Sequence, residues 1–307
     1  MNGSFRFARF HDQFLLTNDA GRFAFLPPED FSRFVHHQLP HDSETWQRLQ
    51  ENFFCYDTDR EVYLRSVMAA VRENHAHLFS PTSLFILAVT NRCNNACVYC
   101  QANGGAKCAD LDIPTARKII DRIAASPAKH LTIEFQGGEP LMNWQVVKDL
   151  VAYGREQEKI HNKNFRFTLT TNGVLLNDEI MEFANKEMGN VVLSIDGRKE
   201  VNDRMRPFRG GQGSYDVIVP KFQKVAESRG QMNYYVRGTF THNNLDFSKD
   251  VLHLADLGFK QISVEPVVAA DTEDYAIREE DIPQIKEEYD KLAKEMIARE
   301  KAGKGFN

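Results

Sequence analysis

The rhythm of apolar and polar positions changes near residue 80. Before that point Phe5, Phe7 and Phe10 begin an alternation of period two. Phe14–Thr17 and Arg22–Leu26 continue it, and Asn18-Asp19-Ala20-Gly21 supplies the turn between them. Pro27-Pro28 stops the sheet and opens a helix over Glu29–His37. Ser43 caps a second helix that runs to about Phe53, and Thr58–His75 reads as a third. The first 80 residues therefore predict a small α+β module.

From residue 84 onward strands and helices alternate. Apolar runs predict strands over Leu84–Thr90, His130–Gln136, Phe165–Thr171, Asn190–Asp196, Met232–Thr241 and Lys260–Pro266. Between them, amphipathic stretches predict helices over Pro114–Ser126, Asn143–Gln157, Asp178–Lys186, Tyr215–Ser228 and Phe247–Leu257. A last helix spans Glu280–Lys301. This order implies parallel pairing with crossover helices. Six units over 81–307 suit an open, partial (β/α)6 TIM-like barrel, though the pattern alone also admits a flat sheet.

Composition narrows the function. Of 307 residues, 42% are hydrophobic, enough for a sizeable core, and the net charge of −5 argues against a nucleic-acid partner. No apolar stretch approaches the ~20 residues of a membrane span. Met1–Phe10 is too polar for a secretory signal, so a cytoplasmic location is expected. The cysteines are Cys55, Cys93, Cys97, Cys100 and Cys108. An odd number, most of them clustered in one stretch, does not read as a disulfide framework and fits a reducing compartment.

Cys93, Cys97 and Cys100 are spaced C-x3-C-x2-C directly after the first strand of the alternating region. Three thiolates can hold three irons of a cubane iron–sulfur cluster and leave the fourth iron open to a ligand. Zinc is the rival; it wants four ligands and would need Cys108 or a nearby histidine. Functional residues of parallel βα folds gather at the carboxyl ends of the strands. Here those ends carry the cysteine loop, Gly137-Gly138-Glu139-Pro140, Thr171-Asn172-Gly173, Ser194-Ile195-Asp196-Gly197, Arg237, and Glu265-Pro266-Val267.

Each of these also has a plainer reading. Gly-Gly-Glu-Pro can be only a tight turn with Pro140 opening a helix, Asn172-Gly173 is a common turn, and Ser194 and Asp196 can cap the next segment. Asp271 and Arg206 can be solvated loop residues. Cys55 reads as core and Cys108 as an unligated thiol. Taken together, an open iron, glycines and an arginine suggest an amino acid-like chelate. Its ammonium would lie against Gly137–Glu139 and its carboxylate against Arg237 or Ser194, with Asp196 suited to ribose hydroxyls.

These residues resemble the radical S-adenosylmethionine (radical SAM) superfamily. Its C-x3-C-x-aromatic-C pattern matches Cys93, Cys97, Tyr99 and Cys100, and its Gly-Gly-Glu-Pro motif matches residues 137–140. Its later strand positions match Ser194, Asp196 and Arg237, and its sixth-strand segment matches Val264 to Val267 with Glu265. The resemblance implies a [4Fe–4S] cluster on the three cysteines, S-adenosylmethionine on the open iron, and a reductant such as flavodoxin or ferredoxin. It also implies a 5′-deoxyadenosyl radical that abstracts a substrate hydrogen. The run from Asn162 to Thr239 is similar to SPASM-type peptide maturases, above all those of the "six cysteines in forty-five" peptides, which form thioethers. The front part, Phe5 to about Ala106, is nearer the maturases of His-Xaa-Ser systems. A ribosomally made peptide is thus the implied substrate, with residues 1–80 resembling a peptide-recognition element to which a leader adds a strand. Such enzymes continue into a cysteine-rich domain that this sequence does not supply, so the resemblance implies a chain shortened before that domain. Two other readings stay open: a metal-stapled peptide-binding module without catalysis, and a radical SAM enzyme acting on a small molecule.

Overall fold

The computed structural model describes residues 1–102 and 109–307. The expected position of Cys108 as a free thiol lies outside the described residues. The chain forms two compact units, Met1–Pro81 and Thr82–Asn307.

In the first unit β1 (Arg6–Phe10), β2 (Gln13–Thr17) and β3 (Phe23–Leu26) make an antiparallel sheet in that order. The turn before β3 closes as its residues require. Gly21 takes φ +71°, and the Asn18 side chain accepts from the Arg22 N–H at 3.1 Å. Three helices follow: α1 (Pro28–Val35), α2 (Glu44–Glu51) and α3 (Arg60–Asn74). Ser43 caps α2 by accepting from the Trp46 N–H at 3.2 Å, and Asp59 caps α3. Leu16, Leu26, Phe34, Trp46, Leu49, Phe54 and Cys55 form the core. Burial pushes the Cys55 thiol up to about 12, so it is an inert core residue.

In the second unit six parallel strands lie side by side in chain order: β4 (Leu84–Thr90), β5 (His130–Gly137), β6 (Asn164–Thr171), β7 (Met188–Ser194), β8 (Tyr234–Phe240) and β9 (Ile262–Pro266). The helices α4 (Ile113–Ala124), α5 (Trp144–His161), α6 (Asp178–Glu187), α8 (Tyr215–Ser228) and α9 (Ser248–Asp256) alternate with them, and α10 (Ile282–Lys301) follows β9. The unit is a partial TIM-like α/β fold. One face of each strand is apolar. Leu131, Ile133 and Phe135 of β5 and Phe165, Phe167 and Leu169 of β6 are buried in one continuous core with the helices. Each such side chain contributes about 1.5–3 kcal/mol. The other face carries Glu134, Gln136, Thr168, Thr170, Ser194, Tyr235 and Arg237, because side chains alternate along a strand.

Local departures from the expected elements have local causes. Helix α5 runs on to His161, where Asn162 ends it in the left-handed conformation at φ 50°. Strand β7 starts directly at the end of α6 and finishes at Ser194, so Ile195 and Asp196 lie beyond it. A further helix, α7 (Lys199–Met205), has no counterpart in the expected pattern. It buries Val201, Asn202 and Met205 from a mostly polar stretch. No helix among the described residues is long and apolar enough to cross a membrane.

Candidate active site at the carboxyl ends of the parallel strands

The cysteine loop leaves β4 and is fixed by a partner far along the chain. The Ala96 N–H donates to the Pro207 carbonyl at 2.9 Å and the Val98 N–H to the Met205 carbonyl at 2.9 Å. Asn95 and Phe208 form an antiparallel bridge. Asn95 Nδ2 donates to the Arg206 carbonyl at 3.3 Å, and Arg209 Nε to the Cys93 carbonyl at 2.6 Å. In this register Cys97 stands directly across from Arg206, between two hydrogen-bonded pairs, where side chains approach most closely.

The second motif packs beneath the loop. The Gly138 N–H donates to the Thr90 carbonyl at 2.7 Å and the Glu139 N–H to the Arg92 carbonyl at 2.7 Å. A Cβ on Gly138 would sit 2.1 Å from the Arg92 carbonyl oxygen, and one on Gly137 (φ +132°) 2.2 Å from that of Thr90. The two glycines are there because backbone of the cysteine loop's root lies where side chains would be. The Glu139 carboxylate is buried. It accepts from the Leu141 N–H at 3.0 Å, Thr171 Oγ1 at 2.7 Å and the Asn172 N–H at 2.7 Å. These three hydrogen bonds fix the carboxylate in place at the cavity wall. Burial raises its pKa, and these hydrogen bonds oppose the rise. Pro140 opens a single 3-10 turn, Pro140–Asn143.

Asn172 ties the third strand end to the loop. Its Nδ2 donates to Asn94 Oδ1 at 2.7 Å and approaches Cys93 Sγ at 3.6 Å. Cys93 Sγ also accepts from the Asn95 N–H at 3.4 Å. Burial raises the Cys93 and Cys97 thiols, while the Asn95 N–H and the Arg206 charge respectively work the other way.

The fourth strand end differs from expectation. Asp196 is fully buried and is not in the cavity wall; it stands behind Tyr99. Its two oxygens accept from the Tyr99 hydroxyl at 2.8 and 2.7 Å, and one also from the Thr239 N–H at 3.1 Å. The carboxylate has no free edge for a ribose. Arg206 Nη1 in turn donates to the Tyr99 oxygen at 2.9 Å and lies 3.9 Å from Asp196. Arg206 is thus no solvated loop residue: its side chain is 12% exposed, and its buried Nε has no hydrogen-bond partner. Burial works against its charge, but Tyr99, Cys97 and Asp196 outweigh that and hold its pKa well above the ordinary arginine value.

At the far end of the sheet Arg237 faces inward as expected but already has a partner. Its Nη2 donates to Glu265 Oε2 at 2.6 Å, and both side chains are about half exposed. The Val267 N–H donates to the Phe240 carbonyl at 2.9 Å, closing β9 against β8. Asp271 is exposed.

One cavity of about 160 Å³ collects these residues. Its walls include Cys93, Cys97, Cys100 and Tyr99 from the loop, Gly137, Gly138 and Glu139, then Asn172, Ser194 and Arg237. Asn95, Gln136, Thr170 and Arg206 join them. Gln136 and Thr170 were legible as strand positions, each one residue before a motif, Gly137 and Thr171 respectively. Pro140, Asp196, Glu265 and Val267 do not reach its walls.

The donor set fits a [4Fe–4S] cluster. Three thiols share one wall, two N–H groups aim at Cys93 sulfur, and Arg206 Nε lacks a partner beside Cys97. All of these suit an anionic, sulfur-rich group in which three irons take one thiolate each and the fourth takes none from the protein. Among the described residues no group of three or more His, Cys, Asp and Glu side chains is gathered round a single-ion position.

A profile of the Radical SAM superfamily matches residues 87–236. Those residues are a radical SAM domain. The family's cofactors are a [4Fe–4S] cluster and S-adenosylmethionine. The chain is similar to an uncharacterised protein of Methanocaldococcus jannaschii, 34% identical over 182 residues that cover 59% of this chain and 61% of that one. In fold it is similar to anSMEcpe, solved with AdoMet and the Cp18Cys peptide, with TM-score 0.65, 19% identity, and coverage of 74% of this chain and 63% of that one. It is also similar to Streptococcus suis SuiB, solved with the precursor peptide SuiA, with TM-score 0.54, 16% identity, and coverage of 98% and 71%. The chain spans 50–61% of the length of the first three curated relatives it matches.

Proposed function

We propose that this chain is a radical SAM enzyme acting on a ribosomally made peptide. The observation that carries the reading is the convergence of Cys93, Cys97 and Cys100 with Gly137, Gly138, Asn172, Ser194 and Arg237 on one cavity. When bound, the cluster and S-adenosylmethionine supply reductive formation of a 5′-deoxyadenosyl radical. The chain's own residues do the placing. Cys93, Cys97 and Cys100 hold the irons, Ser194 and Arg237 present a hydroxyl and a guanidinium to an α-carboxylate, and the glycine backbone admits an ammonium.

A peptide substrate is supported by the two solved neighbours with bound peptides, one of which matches 98% of this chain and so includes the first unit. That unit's sheet has open edges at β1 and β3, with Phe23 and Phe25 exposed on β3. An extended leader can add a strand there. Closure of a thioether or another cross-link is the proposed outcome on the peptide, with flavodoxin or ferredoxin as electron donor.

Anaerobic reconstitution is expected to give about four irons per chain, and reductant with S-adenosylmethionine to yield 5′-deoxyadenosine. Cys93→Ala, Cys97→Ala or Cys100→Ala should remove both signals, and Cys108→Ala neither. A folded wild-type protein that shows neither signal would refute the reading. Capture of a precursor peptide encoded beside this gene, measured with and without Phe25→Lys, tests the peptide.

A further inference from the structure

Arg206 lines the cavity, and the substrate-binding roles above do not use it. Three independent observations fix it. First, its backbone is paired with the cysteine loop in a register that sets it opposite Cys97, with Ala96–Pro207 and Val98–Met205 hydrogen bonds on either side at 2.9 Å. Second, its guanidinium is anchored from behind by the Tyr99 hydroxyl at 2.9 Å, which itself donates to buried Asp196. Third, its Nε is buried without a partner, and the side chain lines the same cavity as the three thiols. The order Asp196, Tyr99, Arg206, Cys97 is a line of charge and dipole with its positive end toward the sulfur ligands.

Such an arrangement has an electrostatic consequence. When one electron enters from a low-potential flavin or iron–sulfur donor protein, the negative charge facing Arg206 grows by one. Arg206 takes up no proton with it, because the guanidinium is already fully protonated. A fixed cation at close range in a poorly solvated site lowers the energy of the more negative state, since the interaction scales inversely with distance and local dielectric. Net charge and hydrogen bonds to the sulfurs are what set the potentials of these clusters.

We propose that Arg206 is a positioning residue that raises the reduction potential of the cluster held by Cys93, Cys97 and Cys100, with Tyr99 and Asp196 fixing its orientation. This inference rests on the cluster reading given under Proposed function.

The test is a redox titration, followed by electron paramagnetic resonance, of the reconstituted full chain without S-adenosylmethionine. Arg206→Gln at full iron loading should have a clearly more negative midpoint than the parent, and Arg206→Lys should recover most of the difference. An unchanged midpoint in Arg206→Gln would overturn the proposal. So would a variant that loses affinity for S-adenosylmethionine while its ligand-free midpoint stays at the parent value, since Arg206 would then serve the ligand instead. Should Arg206→Gln fail to load iron, Tyr99→Phe decides. It keeps every charge but frees the guanidinium, so a smaller negative shift supports the proposal and a parent midpoint overturns it. A wild-type chain that takes up no cluster defeats the underlying reading; a loaded wild type with an unmoved Arg206→Gln defeats this inference alone.

Discussion

Glu139 and Glu265 sit at the ends of β5 and β9, strands separated by three others in the same sheet. Glu139 is buried and accepts three hydrogen bonds from Leu141, Thr171 and Asn172. Glu265 is half exposed and accepts from side chains alone, Arg237 and, at 3.4 Å, the Ser263 hydroxyl. The same side chain thus serves as a buried rivet on one side of the site and as a solvent-exposed latch on the other. The difference follows from what surrounds each. Beside Glu139 the backbone of three strand ends meets, leaving N–H groups that only a buried acceptor can satisfy. Beside Glu265 the sheet ends and water reaches both partners.

The comparison can be broken most forcefully at the rivet. Glu139→Ala leaves two buried N–H groups and a hydroxyl without an acceptor, and should cost about 3–5 kcal/mol, read from urea unfolding. Gly138→Ala should cost about 2–3 kcal/mol and reduce iron uptake, because its Cβ meets unyielding backbone at Arg92. At the latch, Glu265→Gln should change stability by less than about 1 kcal/mol, as exposed ion pairs do, while altering affinity for S-adenosylmethionine by freeing Arg237. A loss at Glu265→Gln equal to that at Glu139→Ala would erase the distinction.

The smallest effect is in pH, where the two carboxylates should have opposite signs. The hydrogen bond from Arg237 holds Glu265 below the ordinary carboxylate value of 4.5. Its contribution to stability is present above that value and is lost as pH falls through the lowered folded pKa. Burial raises Glu139 above 4.5, so its ionisation opposes folding. The associated stability is fully present below 4.5 and is lost as pH rises through the raised folded pKa. Unfolding free energies measured against pH for the parent, Glu265→Gln and Glu139→Gln should give difference curves of opposite slope.

Much of this was legible in the sequence because it is local. The six strands follow from apolar alternation, and Ser43, Pro114 and Gly258 mark helix ends as their chemistry requires. The three cysteines and the two glycines were legible from spacing alone. Arg206 was not, because its burial comes from pairing between residues 95–98 and 205–208, which no local period reveals. The one available signal was Arg204-Met-Arg-Pro-Phe-Arg209, three arginines with different ends: Arg204 bonds the Asn243 carbonyl, Arg206 enters the site and Arg209 bonds the Cys93 carbonyl. Asp196 was misread for the same reason. A carboxylate at a strand end looks available until Tyr99, 97 positions away in the chain, is found donating to it. Helix α7 escaped because only a few of its residues are buried.

The pairing that holds the cysteine loop also sets an order of events during synthesis. Sequential strands let β4 to β7 associate as each emerges, with short loops to close. The loop between β4 and α4 cannot settle at that stage, because Arg206 is 111 residues downstream of Asn95. The thiols are made early and are placed late. On the proposed function, a ribosome-bound intermediate that stops short of Met205 should take up no cluster, even though Cys93, Cys97 and Cys100 are already present.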